Sequence, residues 1–203
     1  MITILACGDV GVKRTDCASM FVHCAQALRA ADLCFAQLET TYQIEIAHAA
    51  IDAGADAILG HHPHLLKGVE FHRHRPIFYS LGNFAIEQPH IWDPSITQTD
   101  SFRHLMSLNP TWTLDQTYML PAVTRLSGVA KLVREDDGRW RVGFLPAWIN
   151  DDRSPQMLEA GDPRFSEVAA LLIESSQEAG LCTDLTVDGN ELALRAPVYA
   201  TLR

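Results

Sequence analysis

The sequence predicts an α/β fold, and three observations carry that prediction. Over the first eighty residues, short apolar runs alternate with segments of helical spacing. After residue 122 the pattern turns to hairpins, and one long helical stretch separates the last two of them. Strands that alternate with helices need right-handed crossovers, so the first region reads as a mainly parallel sheet. The C-terminal part reads as β-hairpins and a helix.

Each element has its own signal. The run Ile2–Cys7 (ITILAC) is strand-like, Cys17–Ala31 reads as a helix, and Leu33–Leu38 (LCFAQL) reads as a second strand. Gln43–Ala53 carries Ile44, Ala47 and Ile51 at helical spacing, and Gly54 supplies a C-terminal stop. Ala57–Leu59 is a short third strand. Val69–His72 and Ile77–Ser80 flank Arg73-His74-Arg75-Pro76, which reads as a hairpin. Residues 85–122 hold four prolines and no sustained period; one short helix is expected near Thr99–Leu108. Arg125–Arg134 and Arg139–Ala147 are strands joined by Asp136-Asp137-Gly138, a strong hairpin turn. Asp162-Pro163 is an N-cap followed by proline at the first helical position, and that helix should stop at Gly180. A last hairpin turns at Asp188-Gly189-Asn190.

Composition narrows the function classes. A chain of 203 residues with 47% apolar and 20% charged residues reads as one soluble domain, 1–203, with a core of its own. The net charge of −9 is spread along the chain, with no basic run, which argues against nucleic acid as a partner. Small molecules, metals and other proteins remain. The first apolar run is too short for a signal-peptide core, and no integral membrane segment is expected. The five cysteines are an odd number without a CxxC pair, which reads as packed thiols of a reducing, cytoplasmic compartment.

The chemistry gathers where the strands end. Beyond the carboxyl ends of parallel strands stand Gly8-Asp9, Glu39 and Gly60-His61-His62-Pro63-His64. Taken singly, Asp9 reads equally as a turn cap and Glu39 as a solvated loop residue. Together, Asp9, Glu39, His62 and His64 form a donor set for a divalent metal such as Mn²⁺, Zn²⁺ or Fe²⁺. Pro63 should hold His62 extended, so that His62 and His64 face one ion while His61 turns away. His48 reads as a surface or packing residue, and His72 and His74 belong to the hairpin. Asn83, after Gly82, is expected to support the site rather than ligate.

Three stretches resemble a known family. They are Gly8-Asp9-Val10, the run from Ala31 to Thr41, and GADAILGHHPHLLKGVEFHRHRPIFYSLGNF across Gly54–Phe84. They are similar to the CapA family of poly-gamma-glutamate capsule biosynthesis proteins, which resemble calcineurin-like metallophosphoesterases. The resemblance implies a metallophosphoesterase-like α/β sandwich and a metal-dependent hydrolase acting on a small-molecule or polymer substrate. It also implies an internal deletion with its junction near 41–43, because the family's Asn-His and His-Trp-Gly motifs have no counterpart in this sequence. The fold is then truncated, its exposed sheet edges invite a homo-oligomer, and the site is expected to hold at most one ion with weak or no turnover. The alternative is a non-catalytic remnant that binds a metal or a partner.

Overall fold

The computed structural model describes residues 3–10, 16–38, 43–86, 93–107, 109–111, 113, 116–181 and 183–196. Its first sheet is mixed and mainly parallel, in the order β1-β2-β3-β5-β4. β1 (Ile4–Val10), β2 (Leu33–Leu38), β3 (Ala57–Gly60) and β5 (Arg75–Phe78) run parallel, and β4 (Val69–His72) pairs antiparallel with β5. β1 does not end before Gly8-Asp9, as the sequence suggests. It continues to Val10, with a register shift between Cys7 and Asp9 that lets the strand keep pairing.

Helix α2 (Gln43–Ala53) covers one face of this sheet with Ile46, Ala47, Ala50, Ile51 and Ala53. They pack with Cys34, Ala36, Ile58 and Ile77 of the strands in one apolar cluster. The expected helix over Cys17–Ala31 is largely replaced. A 3-10 turn (Ala18–Met20) is followed by a short helix, α1 (Ala25–Arg29), whose N-cap Cys24 offers no side-chain bond. The Phe21-Val22-His23-Cys24 stretch between them has weak helix propensity, and Phe21 is buried in the core instead.

The second sheet is antiparallel, in the order β6-β7-β10-β9, with β8 added on β7. Its strands are β6 (Leu126–Arg134), β7 (Trp140–Ile149), β8 (Pro155–Met157), β9 (Asp184–Asp188) and β10 (Glu191–Arg195). Helix α3 (Asp100–Ser107) lies where a short helix is expected, with Thr99 Oγ1 accepting from the Phe102 amide at 3.2 Å. Helix α4 (Pro163–Glu178) starts on Asp162, whose side chain accepts from the Arg164 amide. Gly180 and Gly189 take the positive φ of 68° and 60° that their stop and turn require.

The two sheets share a second apolar cluster. Leu66, Val69 and Phe78 of the first region meet Val142, Phe144, Leu192 and Leu194 of the second, together with Phe165, Val168 and Leu172 of α4. Phe78 and Phe144 stack with ring centroids 6.2 Å apart, and each fully buried ring stabilises the fold by about 1.5–3 kcal/mol. Helix α4 and the segment that follows it close the outer edge of β4. Ser176 Oγ accepts from the Val69 amide at 3.0 Å, and Thr183 Oγ1 donates to the Val69 carbonyl at 2.7 Å. No helix among the described residues is long and apolar enough to cross a membrane.

Candidate functional site

The carboxyl edge of the parallel strands is level. Val10 pairs with Leu38, and Leu38 with Gly60, so three strands finish side by side. Asp9 precedes that line on β1 and His61 follows it after β3, on the same edge of the sheet. Two strand spacings, about 10 Å in all, separate β1 from β3. The side chain of Asp9 and the whole of Glu39 lie outside the described residues.

Residues 61–65 form a loop tied at its base. The Leu81 amide donates to the Gly60 carbonyl at 2.9 Å, the Lys67 amide to the Ser80 carbonyl at 3.1 Å, and Leu66 bridges Leu81. Gly60 is required there, because a Cβ would stand 2.2 Å from the Tyr79 carbonyl oxygen. Within the loop the expected extension fails: His62 has φ 85° and His64 φ 57°. Pro63 bars His62 from the right-handed helical region, but the backbone answers with a positive φ instead of a strand. Side-chain alternation therefore gives no ground for pairing the two imidazoles. Both are exposed, and His61 is half-buried.

Asn83 anchors one of them. Its Oδ1 lies 2.8 Å from His64 Nδ1, and its own backbone carbonyl accepts from Ser127 Oγ on β6. Asn83 and Ser127 are both buried, so the bond comes from the rigid part of the fold. With the Asn83 amide in this orientation its Oδ1 accepts, so a neutral His64 would place its proton on Nδ1 and its lone pair on Nε2. That is the tautomer a metal-ligating histidine uses, held by an outer partner. Among the described residues, no group of three or more His, Cys, Asp or Glu side chains is arranged to hold a metal ion.

A second polar cluster joins α2 to β4. His48 Nε2 lies 2.5 Å from Glu70 Oε1, which also accepts from the Tyr79 hydroxyl. His72 Nε2 lies 2.9 Å from Asp52 Oδ1, and the His48 and His72 rings stack with centroids 4.0 Å apart. His48 is thus no bland packing residue. The sequence did carry a signal: His48 and Asp52 are four apart on a helix, and Glu70 and His72 are two apart on a strand, one face in each case.

This cluster sets a pH prediction. The hydrogen bond to Glu70 raises the His48 pKa above its ordinary 6.5, against the opposing pull of burial. Burial pushes Glu70 up, but hydrogen bonds from His48 and Tyr79 outweigh it and hold the carboxyl below its ordinary 4.5. Burial, then the Glu70 bond, pushes the Tyr79 hydroxyl upward, so it stays protonated. The raised histidine contributes fully below 6.5 and the lowered carboxyl fully above 4.5. The pair's contribution therefore peaks between those values. It fades as pH rises through the raised His48 pKa or falls through the lowered Glu70 pKa. Glu70→Gln should cost about 1–2 kcal/mol within the window and less outside it, as urea melts across pH would read. A loss of equal size at every pH would show that the pair does not ionise.

The fold and the anchored loop define an α/β protein with a histidine-bearing loop at the carboxyl edge of a mainly parallel sheet. Residues 40–88 match the bacterial capsule synthesis protein family PGA_cap. Two uncharacterized Sinorhizobium fredii proteins are each 58% identical over 43 residues, 21% of this chain and 9% of theirs. The PGA biosynthesis protein CapA of Bacillus subtilis is 54% identical over 46 residues, 23% of this chain and 12% of its own. Through this segment the chain is similar to the CapA family. The matched stretch spans about a tenth of the length of these relatives. It includes α2, β3, the histidine loop, the β4–β5 hairpin and Asn83, and so both polar clusters.

Proposed function

We propose that this chain is a CapA-like protein of capsule biosynthesis whose histidine loop holds one divalent cation at a phosphoesterase-type site. The observation that carries the reading is the His64–Asn83 bond, because it presents His64 Nε2 as a ligand atom within the family-matched segment. The donor chemistry fits Mn²⁺, Zn²⁺ or Fe²⁺: imidazoles from His62 and His64, with the Asp9 and Glu39 carboxylates as candidates on the two neighbouring strands. Such an ion, when bound, polarises a phosphoryl oxygen and acidifies the water it carries. The chain's own part is positional. Asn83 keeps His64 in one tautomer, Ser127 keeps Asn83 in place, and Gly60 lets the loop leave the sheet without a clash.

The sequence also favours a second reading. It contains neither an Asn-His nor a His-Trp-Gly motif, the places where the resembled family keeps further ligands and a proton donor. The site is then impaired, or the chain is a metal- or partner-binding remnant of an ancestral hydrolase. The outer edge of β1 faces no strand among the described residues, and a second copy would pair there. Elemental analysis of purified protein with a generic phosphodiester assay separates the readings. We expect at most one ion per chain and turnover near background. Two tightly held ions with robust turnover would overturn the impaired site, and no ion at any supplied concentration would leave only the partner-binding remnant.

A further inference from the structure

The opposite edge of the first sheet builds a different site. Arg75 opens β5 where Gly60 closes the parallel β3, so the β4–β5 turn points away from the histidine loop. That turn, the β6–β7 turn and the end of β10 line an open cavity of about 550 Å³. Its walls include Arg73, Arg75, Arg139 and Arg195, with Phe71 and Trp140 as apolar faces. Four of the 16 basic residues of a chain with net charge −9 therefore line one cavity.

The carboxylates nearby offset part of this charge but leave guanidinium N–H groups unengaged. Asp52 engages Arg73 through Nε at 2.8 Å, and Asp137 engages Arg139 through Nε at 2.7 Å. A guanidinium held by its inner nitrogen still has terminal N–H groups for a second oxyanion, in the fork geometry that suits phosphate or carboxylate. Asp56, almost fully buried, takes both Arg75 at 2.7 Å and Arg134 at 3.3 Å, one negative charge against two positive. Arg195 lies opposite Asp184 in the β9–β10 ladder, yet makes no ion pair among the described residues. Trp140 lends the cavity wall an apolar ring face beside the arginines. Residual positive charge, unengaged guanidinium N–H groups and a concave wall coincide here.

We propose that this cavity binds a small multivalent oxyanion, one carrying two or more phosphate or carboxylate groups. The structural alternative is that the arginines only brace the two turns. Titration calorimetry on the full chain at low ionic strength, with inorganic pyrophosphate and with citrate as probes, decides between them. Arg139→Gln combined with Arg195→Gln should weaken binding about tenfold or more, since both side chains are exposed and neither carries the core. Lysine at both positions should give an intermediate loss, because charge is kept and the fork is not. Arg103→Gln, on α3 and outside the cavity, should change nothing. Tighter pyrophosphate would assign phosphate, tighter citrate would assign carboxylate, and equal affinities would assign the shared chemistry. No binding of either probe, or an equal loss in the Arg103 variant, would overturn the site.

Discussion

Gly60→Ala is expected to cost at least about 3 kcal/mol and to loosen the histidine loop with it. The added methyl would stand 2.2 Å from the Tyr79 carbonyl oxygen and 2.6 Å from its carbon. These are backbone atoms, which cannot rotate aside as a side-chain tip would. Relief therefore requires β3 and the segment after β5 to part, although β5 is the central link between β3 and β4. Parting them also lengthens the Leu81-to-Gly60 bond that closes the loop base. Gly161→Ala is the matched control, since its Cβ would meet nothing within 4 Å, and it should stay within about 0.5 kcal/mol of the parent. Urea unfolding of the three proteins reads the difference. Similar midpoints for Gly60→Ala and Gly161→Ala would show that the strands have room to yield.

How legible the fold is in the sequence depends on how local the deciding physics is. Asp162-Pro163, Asp136-Asp137-Gly138 and Gly189 act through their own backbone preferences, and the helix and hairpins stand where these residues place them. The α1 region does not obey its own pattern, because burying Phe21 in the core competes with helix formation and wins. Strand β8 is three residues long and exists only because β7 offers an edge, so no periodicity announces it. The same division runs through the site. Asn83 as a supporting residue follows from its setting after Gly82, and the structure gives it His64 as its partner. The conformation of His62 and His64 is not local; the loop base is closed by ties that join residues 13 to 21 apart in sequence.

The largest functional effect belongs to the loop itself. If His62 and His64 carry the ion, His62→Ala should abolish metal binding, because the few remaining donors cannot replace an imidazole at this exposed position. His64→Ala should do the same. Asn83→Ala tests something subtler. It leaves both imidazoles in place but frees His64 to rotate and to exchange tautomers, so affinity should fall roughly 10–100-fold while the stoichiometry at saturation stays at one ion. A structural role alone would move the thermal midpoint of the metal-free protein and leave the affinity ratio unchanged. The readouts are therefore zinc and manganese affinity by competition with a chelating dye, and the metal-free melting curve, for each variant. Full metal binding in both histidine variants would remove the loop from the site. An Asn83 variant of parental affinity would show that the His64 bond serves the fold and not the ion.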